Sequence, residues 1–353
     1  MLETYGWSET LRRDFAPHAA LGLIPGRVIA QHRGQWRLAG DLGETRAELS
    51  GRLARDAEQG GYPVTGDWVA ASSPLAGGPA LIEHVLPRRT AFTRRSPEGL
   101  IQVVAANADI AFLVTSLEGD LNLRRLERYL VQAWASGAAP VMLLTKADLA
   151  LDLETAVDRV GAIASGAPVV ALSTVTGAGL DQVRDHLAPG ATAVMVGASG
   201  AGKSTLANLL LGEERMATGA VRADDGRGRH TTSHRELILL PGGALLLDTP
   251  GMRELALNDA EEGVTAAFDD IEALAAACKF SDCSHGNEPG CAVRAALEGG
   301  DLEEGRWRSF LKLTRELNHL ARREDPALRA ENRKHWIAIH KANRARTKFR
   351  ERE

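Results

Sequence analysis

The chain is predicted to be an α/β protein built on a doubly wound parallel sheet, with a small β-barrel before the sheet and helices after it. Three observations lead there. Short apolar runs alternate with amphipathic helical segments from about Leu100 to Asn258, the pattern of strands buried on both faces and joined by crossover helices. A glycine-rich turn ending in Lys203-Ser204 follows one of these runs and opens a helix. Ahead of the sheet, short β-type runs stand between glycine turns, as they do in small barrels.

The barrel region extends from Ile24 to Pro87. Its runs include Gly26-Arg27-Val28-Ile29-Ala30 and Asp67-Trp68-Val69-Ala70, and its turns Ala39-Gly40-Asp41-Leu42-Gly43 and Gln59-Gly60-Gly61-Tyr62-Pro63. The pattern does not choose among barrel types. Arg33, Trp36 and Arg37 fit a stacking surface for single-stranded nucleic acid, and equally well a barrel-core tryptophan beside solvated arginines. Pro87 to Gly99, with Arg88, Arg89, Arg94 and Arg95, reads as a polar connector whose arginines belong to a solvated loop rather than, in the less favoured reading, an RNA contact.

In the sheet, Ile110–Val114, Val141–Leu144, Val169–Leu172 and Ala193–Val196 read as parallel strands, and Glu236–Leu240 and Ala244–Leu247 as a further pair. Leu123, Leu126, Leu130 and Trp134 recur at helical spacing and form the core stripe of a helix over Asn122–Ala135. Helical patterns over Val264–Ala277, Val293–Glu298 and Gly305–Arg322 follow. A basic end carries Arg333, Lys334, Lys341, Arg344, Arg346, Lys348 and Arg350, which reads either as a nucleic-acid contact or as a solvated tail.

At 353 residues the chain exceeds one ordinary core, so two or three domains are expected. A net charge of -4 gives no global nucleic-acid signature, and RNA binding would need local patches. The N-terminus lacks a basic start followed by an apolar run, and no apolar stretch reaches membrane-spanning length. Cys278, Cys283 and Cys291 are odd in number and clustered, which speaks for a metal site in a reducing cytoplasm and against a disulfide framework.

Gly197-Ala198-Ser199-Gly200-Ala201-Gly202-Lys203-Ser204 fits a phosphate-binding loop, and Thr205 continues it into the helix. Glycines let backbone N–H groups wrap an anion, and the helix N-terminus adds partial positive charge. Lys203 is placed to reach the β and γ phosphates, and Ser204 to coordinate Mg2+. Asp248 ends an apolar strand and suits a second carboxylate on the magnesium side, with the Gly251 N–H near the γ-phosphate. Between these lies Gly226-Arg227-Gly228-Arg229-His230-Thr231-Thr232, read as a switch whose threonine closes on magnesium, or as a plain surface loop.

Thr145-Lys146-Ala147-Asp148 follows a strand and reads as the base-reading motif. Asp148 can accept from the guanine N1–H and 2-amino group; adenine offers no such donor pair, which speaks against an ATPase or kinase. The Lys146 stem would lie along the base. The backbone of Ser173-Thr174-Val175-Thr176-Gly177 could meet the guanine carbonyl. This base-reading pair precedes the phosphate loop, the reverse of Ras-like chains, so the motifs read as cyclically reordered. Further on, Cys278, Cys283, His285 and Cys291 offer three thiolates and one imidazole. That is a closed tetrahedral set for a structural Zn2+, coupled to the folding of a small module.

The motif order Thr145–Asp148, Ser173–Gly177, Gly197–Ser204, Gly228–Thr232, Asp248–Gly251, followed by the Cys/His cluster, resembles the ribosome small-subunit-dependent GTPase A family. These are circularly permuted bacterial GTPases of late small-subunit maturation, and the resemblance runs from Gly26 to about Arg323. It implies an N-terminal extension at 1–23, an OB-fold barrel at 24–87, a circularly permuted GTPase domain at 88–258, and a helical zinc-binding domain with the basic tail at 259–353. It further implies a cytoplasmic, monomeric GTP hydrolase with GTP/GDP, Mg2+ and one Zn2+, no membrane partner, and the small ribosomal subunit and its rRNA as partners that stimulate hydrolysis. Lys203, His230, Thr231 and Thr232 would carry catalysis, and Cys278, Cys283, His285 and Cys291 the zinc.

Three positions bear on this reading. Thr145 stands where the family's asparagine is usual, which is expected to remove the tie to the phosphate loop and weaken affinity while guanine preference survives. Thr174 replaces a common alanine, at a contact made by backbone. Met252 stands where Ras-like enzymes carry the water-orienting glutamine. Slow intrinsic hydrolysis is therefore expected, with His230 either supplying the missing function or serving only as a switch-loop residue. The alternative is an RNA-binding scaffold whose nucleotide is structural.

Overall fold

The computed structural model describes residues 1–32, 34–57, 61–74, 78–95, 101–119, 121–216, 235–248 and 260–324. Arg33, His230, Thr231, Thr232, Gly251, Met252 and the basic tail lie outside the described residues.

Helix α1 (Glu9–Ala19) is capped by Ser8, whose hydroxyl oxygen accepts from the Leu11 N–H at 3.3 Å. Its Leu11 and Phe15 pack with Trp68 and Leu86, so the N-terminal extension is built onto the barrel. The barrel strands are β1 (Ile24–His32), β2 (Gln35–Gly40), β3 (Gly43–Leu49), β4 (Trp68–Ala71) and β5 (Ala80–Val85), with helix α2 (Gly51–Ala57) between β3 and β4. They run in the order β1-β2-β3-β5-β4, and β4 closes back onto β1 from Ile24↔Ala71 to Arg27↔Trp68. This closed five-strand path resolves the open choice of barrel as an OB-fold. Val28, Trp36, Leu38, Val69 and Ile82 fill it. Trp36 is 3% exposed and its indole N–H donates to the Pro63 carbonyl at 2.9 Å. The indole therefore belongs to the barrel core and offers no stacking surface.

The expected polar connector is instead an antiparallel hairpin of β6 (Ala91–Arg95) and β7 (Ile101–Ala106), with Phe92 buried. Nor is Arg88 a solvated side chain. It donates to both oxygens of buried Asp67, at 2.8 and 2.7 Å, while Arg89 pairs with Asp109.

The main sheet comprises β8 (Ile110–Ser116), β9 (Ala139–Thr145), β10 (Val169–Ala171), β11 (Thr192–Gly197), β12 (Arg235–Leu239) and β13 (Leu245–Asp248). Helices α3 (Leu123–Ser136), α4 (Leu153–Gly161), α5 (Leu180–Asp185) and α6 (Lys203–Leu211) intervene. Strand order is β10-β9-β8-β11-β13-β12, parallel except for β12. The strand carrying the phosphate loop, β11, is central, yet its neighbour β8 opens the domain. A cyclic reordering has this consequence: spatial neighbours are kept while the chain connections move. One apolar cluster covers each face of the sheet. Barrel and sheet are continuous, because β1 pairs antiparallel with β12 through Ala30↔Glu236 and Gln31↔Arg235.

Beyond the sheet stand α7 (Glu261–Ala267), α8 (Asp269–Ala276), α9 (Ala292–Gly299) and α10 (Glu304–Glu324). The single helix expected over Val264–Ala277 breaks at Phe268, whose backbone leaves helical values so that its fully buried ring can meet Phe310 edge-on. Helix α7 lies close on α3: a Cβ on Gly263 would sit 2.4 Å from the Val131 carbonyl oxygen. Arg306 of α10, 4% exposed, donates to Glu127 of α3, to both oxygens of Asp270 and to the Ala267 carbonyl, with its guanidinium over Phe268. Arg128 and Glu316 add a bidentate pair at 2.7 Å.

Candidate functional site

The predicted nucleotide residues that fall within the described chain gather at the C-terminal edge of the parallel strands, where open α/β sheets present their ligand crevice. β11 delivers Gly197 onto Val114 of β8, and a Cβ there would meet the Val114 carbonyl oxygen at 2.2 Å. Ala198 is half-buried, Ser199 and Gly200 are exposed, and Ala201 is buried beneath them. Gly200 (φ 76°) and Gly202 (φ 87°) take left-handed values that favour glycine, and Gly202 caps α6. Lys203 folds back so that its ammonium donates to the Gly197 and Ala198 carbonyls at 2.8 and 2.6 Å. Ser204 and Thr205 occupy the first turn of α6, half-buried and exposed respectively. A loop bent by left-handed glycines, with an ammonium drawn across its mouth and a helix N-terminus behind it, fits a polyphosphate.

Asp248 ends β13, opposite Glu236 of β12. Burial raises its carboxyl above the ordinary range, the neighbouring Glu236 raises it further, and Arg215 pulls the other way. A half-buried carboxylate beside a second acid is a favourable place for a divalent cation, and Ser204 is the predicted companion ligand.

The predicted base-reading loop leaves β9 at Thr145, which is 1% exposed. Its hydroxyl donates to the Ala201 carbonyl at 2.7 Å, with the Thr115 carbonyl 3.2 Å away. The tie expected to vanish with the asparagine amide is thus made by a hydroxyl. Lys146 adopts a left-handed conformation (φ 58°) and pairs with Glu118. That conformation turns the chain so that Asp148, in a short 3-10 turn, stands exposed at the edge. The Ala147 N–H donates to the Leu172 carbonyl at 3.0 Å, joining this loop to the next. There, Ser173 is buried, and its hydroxyl oxygen accepts from the Val175 and Thr176 N–H groups at 3.2 and 3.1 Å. Thr174 is half-buried and starts the arc whose exposed residues run from Val175 to Ala178.

Glu118, Arg215 and Glu236 are not legible in the sequence, because their side-chain partners lie 21 or more residues away, which periodicity and motif spacing do not reveal.

The metal cluster is complete. Ligand atoms of Cys278, Cys283, His285 and Cys291 all lie within 4.8 Å of one another. The Cys278 and Cys291 sulfurs are 3.9 Å apart, and His285 Nδ1 lies 3.5 and 3.6 Å from them. Tetrahedral Zn2+ with sulfur ligands at 2.3 Å has edges of about 3.8 Å, so the donor set fits the ion. His285 takes φ 59° to turn inward, and Trp307 meets its ring edge-on.

Residues 85–258 match the family model described as RsgA GTPase. Among similar proteins is the small ribosomal subunit biogenesis GTPase RsgA of Opitutus terrae, 46% identical over 99% of this chain and 98% of that one. The protein of the same name from Streptomyces avermitilis is 47% identical over 95% and 90% of the two chains. Among solved structures, YjeQ from Thermotoga maritima superposes with a TM-score of 0.64 at 28% identity, covering 84% of this chain and 98% of that one. YloQ, described as a circularly permuted GTPase, gives 0.59 at 25% identity, covering 83% and 95%.

Proposed function

This chain belongs to the RsgA GTPase family, and from that premise we propose that it hydrolyses GTP to GDP and phosphate as a late maturation factor of the small ribosomal subunit. The observation that carries the reading is the convergence of phosphate loop, Asp248 and base-reading loop at one sheet edge, with Thr145 locking the last to the first.

In this reading the loop N–H groups from Gly197 to Ser204 and the Lys203 ammonium hold the phosphates, and Asp148 selects guanine. Ser204 and Asp248 hold magnesium, which when bound neutralises charge developing on the phosphates. His230 orients the attacking water, and Thr231 or Thr232 closes the switch. The zinc set holds α8, α9 and α10 together as a structural unit. The protein acts as a monomer in the cytoplasm, where the small subunit is assembled. Separately, no helix among the described residues is long and apolar enough to cross a membrane. Ribosomal RNA meets the barrel, and the assembled subunit stimulates hydrolysis by ordering the switch.

Co-sedimentation with purified small subunits tests the partner. Binding is expected with a non-hydrolysable GTP analogue and should fall with GDP. Equal pelleting with small subunits, large subunits and no nucleotide would contradict it.

A further inference from the structure

Glu236 stands where three parts of the molecule meet. Its backbone pairs on one side with Ala30 of the barrel strand β1 and on the other with Asp248 of β13. Its two carboxylate oxygens are claimed by different guanidinium groups. Arg37 of barrel strand β2 donates to one at 3.2 Å, and Arg215 donates to the other at 2.8 Å. Arg215 is itself fastened to the phosphate-loop helix. Asn208 of α6, buried, accepts from the Arg215 and Met216 N–H groups at 3.2 and 2.7 Å and donates to the Met216 carbonyl at 2.8 Å. A continuous set of polar contacts thus runs from the barrel surface to the helix that begins at Lys203.

The barrel end of this set opens on a groove of about 860 Å³ whose charged lining includes Arg37 and Arg46 and the acids Glu44, Glu48 and Glu236. Arg37 and Arg46 are directly opposed across β2 and β3. Like charges in that relation are destabilising, and the neighbouring carboxylates offset them. Strands two and three of an OB-fold form the face on which nucleic-acid strands lie. The acids that hold Arg37 are Glu236 and, at 3.6 Å, Glu44. A phosphate group entering the groove would compete with both.

We propose that Glu236 is a positioning residue coupling the barrel groove to the magnesium side of the nucleotide site: a phosphate of a single-stranded RNA in the groove draws Arg37 away and leaves Glu236 with less positive compensation beside Asp248. The proposal rests on the GTPase reading above. Its sign is fixed by charge. With Arg37 withdrawn, the surroundings of Asp248 become more negative and hold a divalent cation more tightly. With the Glu236 charge removed, Arg37 and Arg215 stand uncompensated and the cation is held less tightly. Asp248 and Glu236 are partly buried but Arg37 and Arg215 are exposed, so added salt should weaken these effects.

The test is the release rate of a fluorescent GDP analogue from the full-length protein, measured against free Mg2+ with and without an oligouridylate strand. Arg37→Gln should lower the Mg2+ concentration for half-maximal retention, and Glu236→Gln should raise it, each by about threefold. Oligouridylate should shift the wild type in the direction of Arg37→Gln and shift Glu236→Gln less, because Arg37 is no longer held beside Asp248 there. Glu236→Asp, which keeps the charge, should fall nearer the wild type than Glu236→Gln. Shifts of the same sign in Arg37→Gln and Glu236→Gln, or an oligouridylate shift undiminished in Glu236→Gln, would overturn the coupling. If Glu236→Gln does not fold by circular dichroism, Arg37→Gln decides alone, and an unshifted midpoint there overturns it. A wild-type protein whose GDP release ignores Mg2+ would instead refute the nucleotide site on which the proposal stands.

Discussion

The Thr145 hydroxyl donates to the Ala201 carbonyl oxygen across 2.7 Å, so one hydrogen bond joins the base-reading loop to the phosphate loop. Both groups are buried: Thr145 is 1% and Ala201 3% exposed. The contact holds the two loops of the proposed nucleotide site together. At Gly202 a Cβ would make only ordinary contact with the same hydroxyl, at 3.4 Å, and it is the left-handed φ of 87° that favours glycine there.

Thr145→Val keeps the shape of the side chain and removes its donor, leaving the Ala201 carbonyl buried and unpaired. A cost of roughly 1–3 kcal/mol is expected, read as about tenfold weaker GDP binding by calorimetry. Thr145→Ser, which restores the hydroxyl, should recover most of it. Unchanged affinity in Thr145→Val would remove this contact from the account of binding.

Base selection is expected to rest on Asp148. The wild type should prefer GDP to ADP, and Asp148→Asn should narrow that preference by losing acceptors for the guanine donors. Competition titrations with GDP, ADP and xanthosine diphosphate check this. A wild type that binds GDP and ADP equally would contradict the assignment.

Zinc should be present at one per chain by elemental analysis. Cys283→Ser or strong chelation should remove it, with amide protection lost across α8, α9 and α10 while β8, β9 and β11 stay protected. Stoichiometric metal retained after all four ligands are replaced would refute the site.

Arg27 is the fastening between barrel, N-terminus and sheet. It is 1% exposed, donates to the Tyr5 carbonyl and, at 3.3 and 3.0 Å, to the Gly66 and Asn107 carbonyls, and lies over the Trp68 ring. Burial without a direct counterion pushes its pKa down to about 10. Arg27→Met should destabilise the protein by roughly 3–5 kcal/mol by orphaning these carbonyls. Arg27→Lys should not rescue it, since an ammonium lacks the fork that reaches all three. Thermal unfolding of the two variants checks the prediction.

The parts of this molecule written as local pattern were legible beforehand. Buried strands such as Val141–Leu144 show as apolar runs, and the phosphate loop and zinc ligands as spacing within a few residues. Side-chain environments set by distant partners were not. Arg88 looked like a solvated loop arginine because Asp67 lies 21 residues away. Trp36 could be core or stacking surface until the strand pairing turned its indole toward Pro63. The hydroxyl of Thr145 looked like a loss because its acceptor lies 56 residues on. Phe268 breaks a helix whose local pattern continues, because tertiary packing of its ring outweighs helix propensity.

The central claim is that this site hydrolyses GTP under control of the small ribosomal subunit. Steady-state GTP turnover with mature small subunits, with large subunits and with neither tests it most directly. Slow turnover alone, strong stimulation by small subunits only, and near-complete loss in Lys203→Ala are the expected results. Equal rates under all three conditions would contradict the claim.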